Sequence, residues 1–293
     1  MRVLVTGAGG LLGGRLAALL HARGLDVLAA HRRVLPPPGP RRVRVELTDE
    51  AALSRLFDRW PPDAVVHAAA LGRPDLCEAS PEEAERANTR LPRTVARHCR
   101  ERTIRLVALS TDLVFAGDRR FVSERDAAAP TSLYGRTKLA GEEAALREHE
   151  AAAVARVALV LGRGHGPRRT STESVFRALT GGPPLRLFVD EYRTPIDPES
   201  VADAIERLLV RGGSGIFHLG GPERLSRHEL GVRVARAFGF AESAVTAARQ
   251  ADHPGPDRRA ADVSLDSTRA RRELGWEPRP IDEAIREGRT DRR

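Results

Sequence analysis

The sequence predicts an α/β protein in which short apolar strands alternate with amphipathic helices along most of its 293 residues. Three observations carry that expectation. The chain opens on an apolar strand that passes through a glycine-rich turn into a helix. The alternation of strand and helix then repeats along the chain. Hydroxyl and carboxyl side chains follow the fifth strand, at the edge where open α/β sheets bind ligands.

The first strand is Val3-Leu4-Val5, and Thr6 to Gly13 follows at once. Leu12, Leu16, Leu19 and Leu20 recur with helical spacing, and Gly24 stands where a C-cap glycine belongs. Gly7, Gly10 and Gly13 have GxxGxxG spacing. Glycine lets a backbone approach a pyrophosphate, and a helix N-terminus offers free N–H groups and a positive dipole end. The turn is therefore read as a dinucleotide site. The second strand, Asp26 to Ala30, runs into His31-Arg32-Arg33. An NAD-selective site usually has a carboxylate there for the ribose hydroxyls, whereas two guanidiniums can hold a 2′-phosphate. NADP(H) is the expected cofactor, with NADH a possible second.

Val43, Val45 and Leu47 alternate as a third strand, and a helix follows from Asp49 to Arg59. The fourth strand, Asp63 to His67, continues into Ala68-Ala69-Ala70, whose small side chains either leave room for a flat ligand or pack tightly. A helix is expected from Pro81 through Arg102, with Asn88 inside it, and a fifth strand from Ile104 to Leu109. That strand ends in Ser110-Thr111-Asp112. A loop at Asp126–Pro130 leads to the helix of Tyr134, and Val154–Leu161 is a sixth strand. From 162 to 184 the composition turns to Gly, Pro, Thr and Ser, around a helix at Glu173–Leu179. Leu185–Val189 reads as a strand, and Asp197 caps a helix that has Pro198 at its first position and runs to about Arg211. A seventh strand at Ile216–Leu219, a helix at Ser226–Phe238 and short helices at Ser267–Leu274 and Ile281–Arg286 complete the order, with Gly288 to Arg293 expected to fray.

The formal net charge of +8 and a sequence pI near 10.7 raise the question of nucleic-acid binding. The arginines are scattered in pairs, however, and aromatic residues make up only 4%. A nucleic-acid partner is not expected. No apolar run reaches the ~18 residues that a membrane span needs, and Met1 to Val5 has no signal-peptide layout. Cys77 and Cys99 lack metal-binding spacing, so no metal site is expected and a reducing cytoplasm is the natural compartment.

Of the 48 lysines and arginines, 47 are arginine. The single lysine, Lys138, stands four residues after Tyr134, one of two tyrosines. That spacing puts both on one helix face. A phenol beside an ammonium is a usable acid, since the positive charge favours phenolate and draws the tyrosine pKa down from ~10. Arginine carries the charge but not the compact shape.

Taken together, TGxxGxLG at the N-terminus, Ser110-Thr111-Asp112 and Tyr134-x-x-x-Lys138 resemble the extended short-chain dehydrogenases/reductases. The stretches 110–117, 133–142 and 215–221 are similar to dTDP-4-dehydrorhamnose reductase and its relatives. The resemblance implies a Rossmann-type, doubly wound parallel sheet of about seven strands with a smaller C-terminal substrate lobe. The nucleotide domain would span 1–161, completed by about 197–220, and the lobe 162–196 and 221–293. The resemblance also implies reduction of a nucleotide-linked 4-keto-6-deoxysugar. Tyr134 would donate the proton, Lys138 would hold the ribose and tune Tyr134, and Thr111 would meet the substrate carbonyl. Gly10, Leu11 and Leu12 would lie on the pyrophosphate, and Glu46 and Leu47 beside the adenine. Ala68, Ala69, Ala70 and Leu109 would line the cofactor groove. Asp112 belongs to the same polar strand end. Arg163, Arg168, Arg169 and Arg193 are spare cations for a substrate diphosphate, with Arg193 expected to face the cleft. A homodimer is compatible with the resemblance. The chain departs from those reductases at Leu113 and Ala116, where Tyr and Asp are common, and near Leu159, where a Trp is. Its loop Gly72–Glu78 is similar to the regulatory β subunit of methionine adenosyltransferase, a non-catalytic NADP-binding alternative.

Overall fold

The structure, a computed structural model, describes residues 1–182, 185–252 and 259–288. Its first half comprises β1 (Arg2–Thr6), α1 (Leu11–Ala22), β2 (Asp26–His31), β3 (Arg41–Arg44), α2 (Glu50–Arg59), β4 (Ala64–His67), α3 (Pro74–Ala79), α4 (Pro81–Glu85), α5 (Leu91–Glu101) and β5 (Arg105–Thr111). Then come α6 (Leu133–Glu148), β6 (Ala153–Val157), α7 (Ser171–Leu179), β7 (Arg186–Phe188), β8 (Tyr192–Arg193), α8 (Pro198–Arg211) and β9 (Gly215–Leu219). The chain continues through β10 (Leu225–Ser226), α9 (Arg227–Ala237), β11 (Thr246–Ala248), α10 (Thr268–Leu274) and α11 (Ile281–Glu287).

Seven strands form one parallel sheet in the order β3-β2-β1-β4-β5-β6-β9, a Rossmann-type arrangement. Strand alternation sends side chains to both faces. Val3 and Val5 pack with Leu16 and Leu20 of α1 and with Ile205 and Leu208 of α8, whereas Leu4 packs on the other side with Leu53 and Phe57 of α2 and Val95 of α5. A third cluster, including Leu161, Val175, Leu230, Val234 and Ile285, joins α7, α9 and α11.

Helix starts follow local capping chemistry. Asp49, Ser132 and Asp197 accept N–H bonds at the starts of α2, α6 and α8, and Thr170 and Ser226 form capping boxes with Glu173 and Glu229.

Several expectations are corrected. The third strand stops at Arg44, because it is an edge strand whose sole partner, β2, ends opposite it at His31. The sixth strand leaves the sheet after Val157, and Val160 bridges to Ile196 instead. The strand expected at Leu185–Val189 is present as β7, outside the main sheet, where it pairs with β11. The short helix α3 was not anticipated. Most informative is the expected helix from Pro81 to Arg102, which is broken by a π-helical turn at Arg86–Arg90. Pro92 has no N–H to return to the Asn88 carbonyl, and the backbone widens there. That carbonyl packs on Gly141 of α6, where no side chain could fit. The fraying expected at Gly288–Arg293 falls mostly outside the described residues; Gly288 itself closes α11 with its N–H on the Ile285 carbonyl.

Candidate active site

The sheet reverses direction of winding between β1 and β4, and two cavities open at that carboxyl edge. The first, of about 600 Å³, lies between the start of α1, the ends of β5 and β6, Tyr134 and Lys138 of α6, and the start of α7. The second, of about 400 Å³, lies between the glycine turn, the end of β2 and residues 45–48.

The glycine turn is built for close approach. Gly7 has φ +65°, and a Cβ on it would stand 2.6 Å from the Ala68 carbonyl carbon. A Cβ on Gly13 would stand 2.5 Å from the Gly7 oxygen. The Thr6 hydroxyl accepts from the Ala68 and Ala69 N–H groups at 3.1 and 3.2 Å and fixes the alanine strip beside the turn. At the start of α1, Gly10 gives no side-chain cap and no acidic residue occupies the first turn. This end of α1 thus keeps its N–H groups and positive dipole for an anion.

Of the residues read from the sequence, Gly10, Leu11, Leu12, Gly13, Leu109, Thr111, Asp112, Tyr134 and Lys138 line the first cavity. Gly7, Arg32, Arg33, Glu46, Leu47 and Ala69 line the second, and Ala68 and Ala70 border both. Arg32 lies 3.7 Å from both Glu46 and Glu83 on the surface. Arg168 and Arg169 line the first cavity, but Arg163 lies outside both. Arg193 is not on a cavity wall. It is buried, with its guanidinium 3.2 Å from Glu191, 3.8 Å from Asp112 and donating to the Tyr192 and Ala260 carbonyls. The arginine that reaches the wall from that cluster is Arg227, 3.9 Å from Glu191, and sequence reading missed it. Its one local signal is its place directly after the capping Ser226.

The electrostatics also differ from expectation. Burial pushes the Tyr134 phenol up to about 12; Arg168 and a Thr111 hydrogen bond oppose the rise and Asp112 adds to it. Lys138 does not draw the phenol down. Its Nζ donates to the Leu109 carbonyl at 2.7 Å, and burial pushes its ammonium down to about 8, against the pull of Glu142 one turn further on. Desolvation outweighs the charge pair in this protein interior. Burial likewise raises Asp112, against Arg193; Thr111 donates to its Oδ1 at 3.1 Å, and Oδ2 has no hydrogen-bond partner.

Two supporting residues escaped the sequence reading of the site. Asn88, fully buried in the π turn, accepts from the Leu71 N–H at 2.8 Å and donates to the Leu71 carbonyl at 3.2 Å. Glu142 accepts from Ser110 and is held bidentately by buried Arg156, whose Nη2 is 2.7 Å away.

The RmlD substrate binding domain family model matches residues 1–291. The probable low-salt glycan biosynthesis reductase Agl14 of Haloferax volcanii is 31% identical over 278 residues, covering 94% of this chain and 93% of that protein. A dTDP-4-keto-6-deoxy-D-glucose reductase of Streptomyces niveus is 36% identical over 223 residues, 74% of this chain and 72% of its own. The methionine adenosyltransferase 2 subunit beta of Rattus norvegicus is 30% identical over 253 residues, 83% of this chain and 73% of its own. Among solved structures, a hypothetical dTDP-4-dehydrorhamnose reductase from Sulfolobus tokodaii superposes with a TM-score of 0.83 at 30% identity, covering 96% of this chain and 98% of that one. With the family model spanning almost the whole chain and a fold of the same kind, the chain belongs to the RmlD family of extended short-chain oxidoreductases, the dTDP-4-dehydrorhamnose reductase-like branch.

Proposed function

We propose that this protein is an NADP(H)-dependent reductase of a nucleotide-linked 4-keto-6-deoxysugar. The observation that carries the reading is the convergence of Thr111, Tyr134 and Lys138 on one cavity that the uncapped start of α1 also borders. The glycine turn fits a dinucleotide, because the uncapped start of α1 beside it keeps its N–H groups and positive dipole end for a pyrophosphate. Gly10, Leu11 and Leu12 would hold the pyrophosphate, with Arg32 and Arg33 near the adenosine ribose. When bound, the reduced cofactor supplies a hydride to the ketone carbon.

The chain's own residues supply the rest. The Thr111 hydroxyl, which donates to Asp112 Oδ1 at 3.1 Å, lines the same cavity as the phenol and would meet a substrate carbonyl there. Tyr134, a neutral phenol at working pH, donates the proton that turns the ketone oxygen into a hydroxyl. Lys138, with its Nζ on the Leu109 carbonyl, would hold the cofactor ribose beside Tyr134, the role the resemblance implies. Arg169 and Arg227 make the cavity wall suited to an anionic substrate.

The test follows nicotinamide absorbance with NADPH and a panel of nucleotide-linked 4-keto-6-deoxyhexoses. Sugar-dependent oxidation that disappears in Tyr134→Phe supports the reading. A second reading, a non-catalytic NADP-binding subunit, is favoured by the likeness to the methionine adenosyltransferase subunit and by Leu113 and Leu159 on the cavity wall, where the reductases commonly have Tyr and Trp. NADPH binding without turnover on the whole panel, together with co-purification of a partner protein, would establish that second reading.

A further inference from the structure

The segment between β6 and α7 crosses the start of α1 as a strap. Its ends are drawn together by the Thr170 hydroxyl, which donates to the Gly162 carbonyl at 2.6 Å. Its middle is fastened by His165. The His165 N–H donates to the Leu11 carbonyl at 3.1 Å, and its Nε2 pairs with the Leu35 carbonyl at 2.9 Å. Beneath the strap, Gly14 has no room for a side chain because the His165 ring lies against it, and Gly166 rests on the carbonyl of Gly9. The strap is thus attached to the glycine turn itself and to the loop after β2.

This attachment sets the place of Arg168, which borders both cavities. Its Nη1 reaches to 3.0 Å from where a Cβ on Gly72 would stand, across the mouth from the strap. Among the described residues its guanidinium has no hydrogen bond or ion pair, in a protein where most arginines near the site are engaged: Arg73 by Asp75, Arg32 by Glu46 and Glu83, Arg193 by Glu191. An unpaired guanidinium at the seam of two cavities, facing an uncapped helix start, suits a group with several anionic oxygens that joins two ligand halves.

We infer that Arg168 is a pyrophosphate-binding residue, delivered over the dinucleotide by the His165-fastened strap. The inference rests on the dinucleotide reading given above. A guanidinium binds adjacent phosphate oxygens in bidentate fashion, and lysine does not reproduce that fork. The pyrophosphate is common to NADPH and NADH, whereas the 2′-phosphate is not. Arg168 therefore sets affinity for both cofactors and leaves the choice between them unchanged.

The experiment is titration of NADPH, NADH and adenosine 2′-monophosphate into the wild-type protein, Arg168→Ala, Arg168→Lys and His165→Ala by calorimetry. Arg168→Ala is expected to weaken NADPH and NADH by the same factor, about tenfold for one charge-assisted contact. Adenosine 2′-monophosphate, which has no pyrophosphate, is expected to bind all four proteins alike. Arg168→Lys should recover only part of the loss, and His165→Ala should weaken both dinucleotides while leaving their ratio intact. Unchanged dinucleotide affinities in Arg168→Ala overturn the inference. So does a loss confined to NADPH, which assigns Arg168 to the 2′-phosphate. If the wild-type protein binds neither dinucleotide, the cofactor reading itself is wrong. Wild-type binding with no Arg168 effect removes this inference alone.

Discussion

The Asn88 side-chain amide donates to the Thr137 hydroxyl at 3.1 Å, joining the π turn before α5 to the residue next to Lys138. The same amide holds both polar groups of the Leu71 backbone. Thr137 in turn donates back to the Tyr134 carbonyl at 3.0 Å. One side chain therefore connects the cavity wall at Leu71 to the helix that carries the tyrosine and the lysine.

Replacing Asn88 by alanine leaves the half-buried Leu71 N–H without its partner and the Leu71 carbonyl with only the Cys77 thiol. The expected cost is about 1–3 kcal/mol of folding stability, read by urea denaturation. Turnover should fall more steeply than cofactor affinity, because the tie positions α6 and not the glycine turn. Equal stability of the variant and the wild type would show that water replaces the amide without loss.

Tyr134→Phe should fold, bind NADPH as the wild type does and lose about 10²–10⁴ in turnover, the usual range for a general acid. Lys138→Arg should also be impaired, since the buried slot against the Leu109 carbonyl takes a compact ammonium. Steady-state kinetics beside cofactor titration separates the two effects. Near-normal turnover in Tyr134→Phe would transfer the proton to another group.

Lys138 gives the fold a pH signature. Burial lowers its pKa from 10.5 to about 8, so between those values the unfolded chain binds the proton that the folded one has released. Stability contributed through this group therefore rises with pH over that window, and the full penalty for a buried ammonium applies below it. Lys138→Met should melt at a higher temperature than the wild type at pH 7, and the gap should narrow by pH 10. A gap that does not change with pH would mean that Lys138 has an ordinary pKa in the fold.

The double variant Arg32→Ala/Arg33→Ala should lose most of a tenfold to hundredfold preference for NADPH over NADH, from about 1.5–3 kcal/mol per charged hydrogen bond. Its surface pairs with Glu46 and Glu83 are half-exposed and worth little, so the melting temperature should barely move. Calorimetric titration of both cofactors checks it. Equal wild-type affinities would refute the assignment.

Much of this protein was determined by relationships between near neighbours in the chain. The strand, glycine turn and helix at residues 2–22, the cap at Asp197, and the four-residue step from Tyr134 to Lys138 are legible because the interacting groups lie within a few positions of each other. What only the tertiary structure decided depends on partners far apart in sequence. Arg193 looked free for a ligand, yet its carboxylates come from Asp112, in the segment after β5, and from Glu191 beside it, once β8 folds over that edge. The third strand ended early because its neighbour did. The broken helix needed Pro92, legible in the sequence, and also Gly141 of α6, which receives the carbonyl that Pro92 releases. The tyrosine's acidity was misjudged for the same reason. Sequence spacing brings a charge near the phenol, but burial is a property of the whole packed fold, and desolvation outweighs the pair.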